Sequence, residues 1–437
     1  MRKRVIICGA MGRDLHNYIV YFKDNLDYEI VCFTAAQIPG IEERTIPKEI
    51  TGKNYPNGIR IHRESELPWI IKKYKVDYVF LCYSDLSHQT VMEKASLVLA
   101  NGANFAFLGT KDTMIPSKKP VVSVCAVRTG AGKSQTSRAI AHILKKHGKK
   151  VVGIRHSMPY GNLIEQEVQR FCNVKDLKNN KTTIEEDEEY LPWINHGFVI
   201  YAGVNYEKIL RRAEKESDII VYDAGNNDFS FIKPNLQIVI ADPHRPGHEI
   251  SYYPGFVNLL MADIIIINKV DSASKENIKI VEDNIKKYNP KAIVIKAKSD
   301  LIVENSELIK GKKCLAIGDG PTLSHGGMAF SASTIAVKKF GGQLIDPRAY
   351  AIGSIKEPYK KYSHLQNVLP AMGYSKRQIK ELEETINESK CDLVVDGSPA
   401  NLKRILKINK PIINIGYELD ENSVKELESI LKKKGFI

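Results

Sequence analysis

Short β-branched runs alternate with amphipathic stretches along the whole chain, and this alternation sets the fold class. Arg4–Cys8, Glu29–Thr34, Tyr78–Cys82 and Phe105–Leu108 are apolar runs of strand length, with helical spacing over Glu66–Tyr74 and His88–Asn101. A second series begins at Val121–Val127. It continues through Val151–Ile154, Phe198–Tyr201, Ile219–Asp223, Leu236–Ala241, Ile264–Ile267 and Ala292–Lys296, with a helix from about Lys133 to His147. A third series places strands at Lys313–Ile317, Asp392–Val395 and Ile412–Ile415 and a helix at Ser375–Glu388. Continuous apolar strands separated by helices predict α/β architecture with mostly parallel sheets. The polar stretch Gly109–Pro120 reads as a linker. Asn173–Glu189, which contains TTIEEDEEY, reads as a solvated surface insertion.

Composition narrows the classes. A chain of 437 residues has room for about three domains. Its 64 Lys+Arg outnumber 51 Asp+Glu, and the +13 excess points to a polyanionic partner. Seven Cys with no CxxC pair fit a reducing compartment, so a cytoplasmic protein is expected. The opening MRKRVIICG is too briefly apolar for a signal peptide, and no run reaches the ~18 apolar residues of a membrane span. Basic residues are scattered and no helix-turn-helix, zinc-finger or RNA-binding signature is present, so neither a nucleic acid nor a membrane is the expected partner.

The sharpest local signal is the strand Val121–Val127 running into Arg128-Thr129-Gly130-Ala131-Gly132-Lys133-Ser134-Gln135 and then a helix. Glycines let the backbone curl so that consecutive N–H groups face a phosphate chain, and the helix N-terminus adds its partial positive charge. Lys133 is placed to reach the β- and γ-phosphates, and Ser134 to hold Mg²⁺. Val127 stands where the standard phosphate loop has its first glycine, and the segment more closely resembles the deviant loop of SIMIBI-class P-loop proteins. Arg128 then occupies that class's extra lysine position, which implies a homodimer in which this cation reaches the partner's nucleotide. Asp223 ends an apolar strand, as a Walker B carboxylate holding Mg²⁺ does. Asn268-Lys269-Val270-Asp271 follows another strand and matches the NKxD pattern of guanine-binding proteins, so ATP and GTP both stay open as the nucleotide. The expected domains are therefore a Rossmann-like domain over 1–118, a central P-loop NTPase domain over 119–300 and a small α/β domain over 301–437.

Ligands bind parallel sheets at the carboxyl ends of their strands, and four further clusters fall there. In Asp242-Pro243-His244-Arg245-Pro246-Gly247-His248, Pro and Gly interrupt any helix that would pair the histidines on zinc. Arg245 between two histidines suits phosphate instead, with Asp242 beside the γ-phosphate. Arg155 and His156 offer charge-assisted bonds to a second phosphorylated group, and Asn226-Asn227-Asp228 could orient it. The glycine-rich loop Gly318–Met328 is either an anion-closing loop or an interdomain turn. Near the start, Gly9-Ala10-Met11-Gly12-Arg13-Asp14 resembles a dinucleotide turn without its third glycine, with Gly12, Arg13 and His16 as contacts to a phosphate-containing ligand.

Taken together, RTGAGKSQTS, RHSMPYG, DAGNNDF, DPHRPGHE and GPTLSHGGM resemble the cyclic 2,3-diphosphoglycerate synthetases over nearly the entire chain. The resemblance implies a P-loop ligase that closes a phosphoanhydride between the two phosphates of 2,3-diphosphoglycerate. Lys133, Arg128, Asp223, Asp242 and Arg245 would be its catalytic groups, and Ser134 and Asp223 would hold Mg²⁺. Arg155, His156, His244 and His248 would grip the anionic phosphorylated substrate. Two rivals share the nucleotide residues: a SIMIBI-class GTPase switch or metallochaperone, and a P-loop small-molecule kinase.

Overall fold

The computed structural model describes residues 2–36, 41–42, 44–156, 158–324, 326–373 and 375–437. Three large sheets follow one another along the chain, and a two-stranded sheet pairs Leu86–Ser87 with Tyr252–Tyr253. The first has the order Thr45–Ile46, Ile59–Arg63, Tyr28–Ala35, Lys3–Cys8, Tyr78–Leu81, Asn104–Ala106 and is parallel except at its Thr45–Ile46 edge.

The central sheet has eight strands. Their order is Gln169–Phe171, Val199–Ala202, Val151–Arg155, Ile219–Asp223, Val121–Ala126, Leu236–Ala241, Ile264–Ile267 and Ile293–Lys296. Only Gln169–Phe171 runs antiparallel. Val121–Ala126, Ile219–Asp223 and Ile264–Ile267 are buried at every position, as the β-branched runs demand for a sheet covered on both faces. The helix Lys133–Lys146 packs on one face through Ile140, Ile143 and Leu144, and ends on Lys145 and Lys146, which suit its C-terminal dipole.

The C-terminal sheet runs Ser299–Val303, Ile412–Leu419, Leu393–Gly397, Lys313–Asp319, Gln343–Leu344, with Leu369–Ala371 also on Lys313–Asp319. Its last helix, Glu421–Lys433, returns to the central domain and adds Leu427, Ile430 and Leu431 to that core.

The acidic segment departs from expectation. Residues 173–189 are not a solvated insertion: they form Val174–Asn179 and the start of Ile184–Asn195, both opened by capping boxes. Tyr190, Leu191 and Trp193 enter the central core, while Ile184 enters the C-terminal core. That helix is a strut between two domains, and it carries Glu185, Glu186, Asp187 and Glu188 inward with it.

Candidate active site

A cavity of about 750 Å³ lies between the central and C-terminal domains. The phosphate loop forms its floor, with Thr129, Gly130, Gly132, Lys133, Ser134 and Gln135 on the wall. Gly130 and Gly132 have φ of +76° and +118°, and a Cβ on Gly132 would collide with Asn268 Nδ2. Ala131 is fully buried behind them. Lys133 Nζ donates to the Asn226 carbonyl, and burial lowers its pKa to about 8 despite Asp223 and Asp85 nearby.

Asn268, Lys269 and Asp271 brace this loop. Asn268 Nδ2 donates to Ala131 O at 2.9 Å, and Lys269 Nζ donates to Gly130 O at 2.7 Å. Asp271 Oδ1 accepts the Ser299 N–H at 3.2 Å, and the residue lines the cavity. Gln135 Nε2 donates to Ser299 Oγ at 2.7 Å, which joins the loop helix to the C-terminal sheet.

Asp223 sits at its strand's carboxyl end with its side chain 1% exposed, 3.1 Å from Arg155 Nη1, and its Oδ1 accepts no hydrogen bond. With the Ser134 hydroxyl at the start of the loop helix, that carboxylate oxygen, ion-paired to Arg155 but accepting no hydrogen bond, fits Mg²⁺, which takes few protein ligands and fills its shell with water and phosphate oxygens. Among the described residues, no three His, Cys, Asp or Glu side chains are grouped to hold a metal by themselves.

The cations expected to grip an anionic acceptor are otherwise engaged. Arg155 lies 3.0 Å from Glu189 and 3.1 Å from Asp223. Arg245 pairs with Asp242 at 2.6 Å and donates to Thr129 O at 2.7 Å and Gly326 O at 2.5 Å. Asp242 is thus a buried anchor for Arg245 and Lys269, and these cations hold its carboxyl below the usual range despite burial, which opposes them. It does not line the cavity. Arg128 turns inward to Asp85 at 2.8 Å, with His248 Nδ1 at 2.6 Å and the Tyr252 ring 3.8 Å below its guanidinium. Its side chain is 4% exposed.

None of the three histidines lines the cavity. His244 bonds Ser272 at 2.9 Å, away from His248. His156 lies 3.4 Å from Asp228, and burial with Arg13 and Arg155 drives its pKa well down, leaving it neutral. The expected contacts of the N-terminal turn are engaged within the fold. Gly12 packs against Met158, Arg13 pairs with the buried Asp228 at 2.6 Å, and His16 bonds Thr113 O at 2.6 Å while stacking on Phe231. These residues join the first domain to the second. Ser157 and His325, in two of the motifs, lie outside the described residues.

The cavity wall also carries a set of carboxyls. Glu185, Glu188 and Glu189 from the strut helix and Asp319 from the C-terminal sheet line the cavity. Their signal in the sequence was the Thr183-x-x-Glu186 capping box followed by Tyr190, Leu191, Trp193 and Ile194, a helix start leading into core residues. The density of charge concealed it.

The chain is 55% identical over 433 residues to the arginine synthetase ArcE of Thermococcus kodakarensis, covering 99% of this chain and 97% of that one. The P-loop-domain model of cyclic 2,3-diphosphoglycerate synthetase matches residues 197–298. A protein of Thermococcus sibiricus bearing that name is 21% identical over 73% of this chain and 75% of its own. The chain belongs to the cyclic 2,3-diphosphoglycerate synthetase family. Among solved structures, ATP-bound LpxK of Aquifex aeolicus covers 79% of this chain and 95% of its own, with 12% identity and a TM-score of 0.44. Members of the cyclic 2,3-diphosphoglycerate synthetase family are named synthetases, and with its phosphate loop this chain is a nucleotide-using ligase. No described helix is long and apolar enough to cross a membrane.

Proposed function

We propose that this ligase uses its nucleotide to make arginine from an acceptor that carries a positive nitrogen, rather than to cyclise a polyphosphate. The observation that carries this is the charge of the cavity. Arg155 and Arg245 are paired within the fold, and Glu185, Glu186, Glu188, Glu189 and Asp319 line the cavity together with Arg138, Lys269 and Lys339. Two like unit charges 5 Å apart at an effective dielectric of 20 repel by about 3 kcal/mol. A phosphate beside an ionised carboxyl meets that repulsion, whereas an ammonium group is attracted by it.

The 55% identical relative named arginine synthetase points the same way. A nucleotide-driven step that ends in arginine closes a guanidino carbon–nitrogen bond. Its simplest acceptor is citrulline, which is arginine with one guanidino nitrogen replaced by oxygen. Transfer of the γ-phosphoryl group to that ureido oxygen makes it a leaving group. An amine nitrogen then adds to the carbon, the carbon–oxygen bond breaks, and inorganic phosphate departs. Lys133 would neutralise charge on the transferring phosphoryl, and the Gly130–Ser134 backbone would hold the nucleotide's phosphates. Mg²⁺ held by Ser134 and Asp223 would share that charge.

Ring closure of 2,3-diphosphoglycerate is the second reading, favoured by the family model over residues 197–298. Acceptor-stimulated phosphate release separates the two, with ATP and GTP run in parallel. Citrulline with ammonium should raise nucleotide turnover at least tenfold, and 2,3-diphosphoglycerate should not. Stimulation by 2,3-diphosphoglycerate alone would reverse the assignment.

A further inference from the structure

Among the described residues, the Glu188 carboxyl in the cavity wall is paired with no cation. Glu188 is 8% exposed, lines the cavity, and its Oε1 has no hydrogen-bond partner. Its neighbours on the strut helix are all engaged. Glu185 accepts from Tyr160 Oη at 2.6 Å, Glu186 from the Thr183 N–H at 2.8 Å, Asp187 from Thr182 Oγ1 at 2.5 Å, and Glu189 pairs with Arg155. Glu188 instead shares a hydrogen bond with the carboxyl of Asp319. Asp319, at the end of a strand of the other domain, faces the same space, with Thr322 bonded to its Oδ2.

We propose that Glu188 and Asp319 form a subsite for an ammonium-type cation, clamped between the strut helix and the C-terminal domain. The proposal rests on the arginine-forming reading and sharpens it by locating the positive nitrogen. A buried carboxylate without a cation partner is strongly unfavourable, and an N–H donor cation removes that penalty while forming charge-assisted bonds. Burial, then repulsion from Asp319, Glu185 and Asp396, holds the Glu188 carboxyl well above its usual range, so the vacant pair keeps a proton that the cation replaces. The N–H cation has two sources: free ammonium, which becomes the nucleophilic ammonia by giving a proton to the carboxylate pair, and the α-ammonium group of the amino-acid acceptor.

Glu188→Gln and Asp319→Asn test the subsite. In steady-state arginine formation, each should raise one KM at least tenfold while the dissociation constant of the nucleotide stays within twofold. A raised KM for ammonium identifies the nucleophile's subsite; a raised KM for citrulline identifies the α-ammonium group. A second readout does not depend on turnover. Methylammonium chloride and L-arginine, each compared with equal sodium chloride, should raise the melting temperature of the nucleotide-bound wild type but not of Glu188→Gln. If both KM values and both stabilisations are unchanged by Glu188→Gln, the subsite is refuted. If the wild type forms no arginine yet is stabilised by these cations through Glu188, the reaction is wrong and the subsite stands.

Discussion

Replacing Lys133 with Met should make the empty protein more stable and the nucleotide complex much weaker. The ammonium is buried against the phosphate loop, and that burial lowers its pKa from 10.5 to about 8. At pH 7 the lysine is charged in both folded and unfolded chains, so the folded state bears the whole penalty. A shift of this size corresponds to about 3 kcal/mol. Methionine keeps the stem's packing and loses only the bond to the Asn226 carbonyl, worth about 1 kcal/mol. The net gain in the absence of nucleotide is up to about 2 kcal/mol, visible as a higher melting temperature by differential scanning fluorimetry. With nucleotide, the variant forfeits charge-assisted bonds to two phosphates, together about 3–4 kcal/mol. By isothermal titration calorimetry the Kd should be roughly a hundred to a thousand times larger. The same lysine sets a pH limit: nucleotide affinity in the wild type should fall as pH rises through about 8, and the Met variant should show no such fall. A Met variant that is less stable than the wild type and binds nucleotide equally well would refute the placement of Lys133 at the phosphates.

Other consequences concern the frame around the site. Asp242→Ala strands Arg245 and Lys269 beside the loop carbonyls they hold and should cost about 3–5 kcal/mol in urea unfolding, with nucleotide affinity falling too. Trp193→Ala removes a fully buried indole from the strut helix, and urea unfolding should show about 3–5 kcal/mol lost. Acceptor KM should rise in that variant before nucleotide binding suffers. Burial raises the Asp14 carboxyl to about 7 against N–H bonds from the turn, so it favours the folded state below its unfolded value of 3.8. That contribution is lost as pH rises through about 7. Asp14→Asn should therefore flatten the decline of melting temperature between pH 5 and pH 8, and an unchanged slope would count against this.

Much of the architecture was legible because each central strand is apolar on both faces. Val121–Ala126 and Ile264–Ile267 admit little but a covered parallel strand, and glycines before Lys133 dictate the loop. The position of the nucleotide residues followed from that local grammar. What the pattern did not disclose is how charge is used at a distance. Arg155, Arg245 and Arg128 look in sequence like free phosphate grips, but their partners Glu189, Asp242 and Asp85 cancel them, and two of these lie 34 and 43 positions away. The acidic strut failed to announce itself for the same reason. Runs of carboxylates normally seek water, and only the tertiary contacts of Ile184, Tyr190 and Trp193 turn this run inward.

The most direct test follows an oxygen atom. Citrulline labelled with ¹⁸O in its ureido group is incubated with the protein, nucleotide, Mg²⁺ and ammonium, and the products are read by ³¹P NMR and mass spectrometry. Phosphoryl activation of the acceptor predicts one arginine per nucleotide consumed, with the label recovered in inorganic phosphate. Unlabelled phosphate with no arginine, alongside cyclic product when 2,3-diphosphoglycerate is supplied instead, would contradict it.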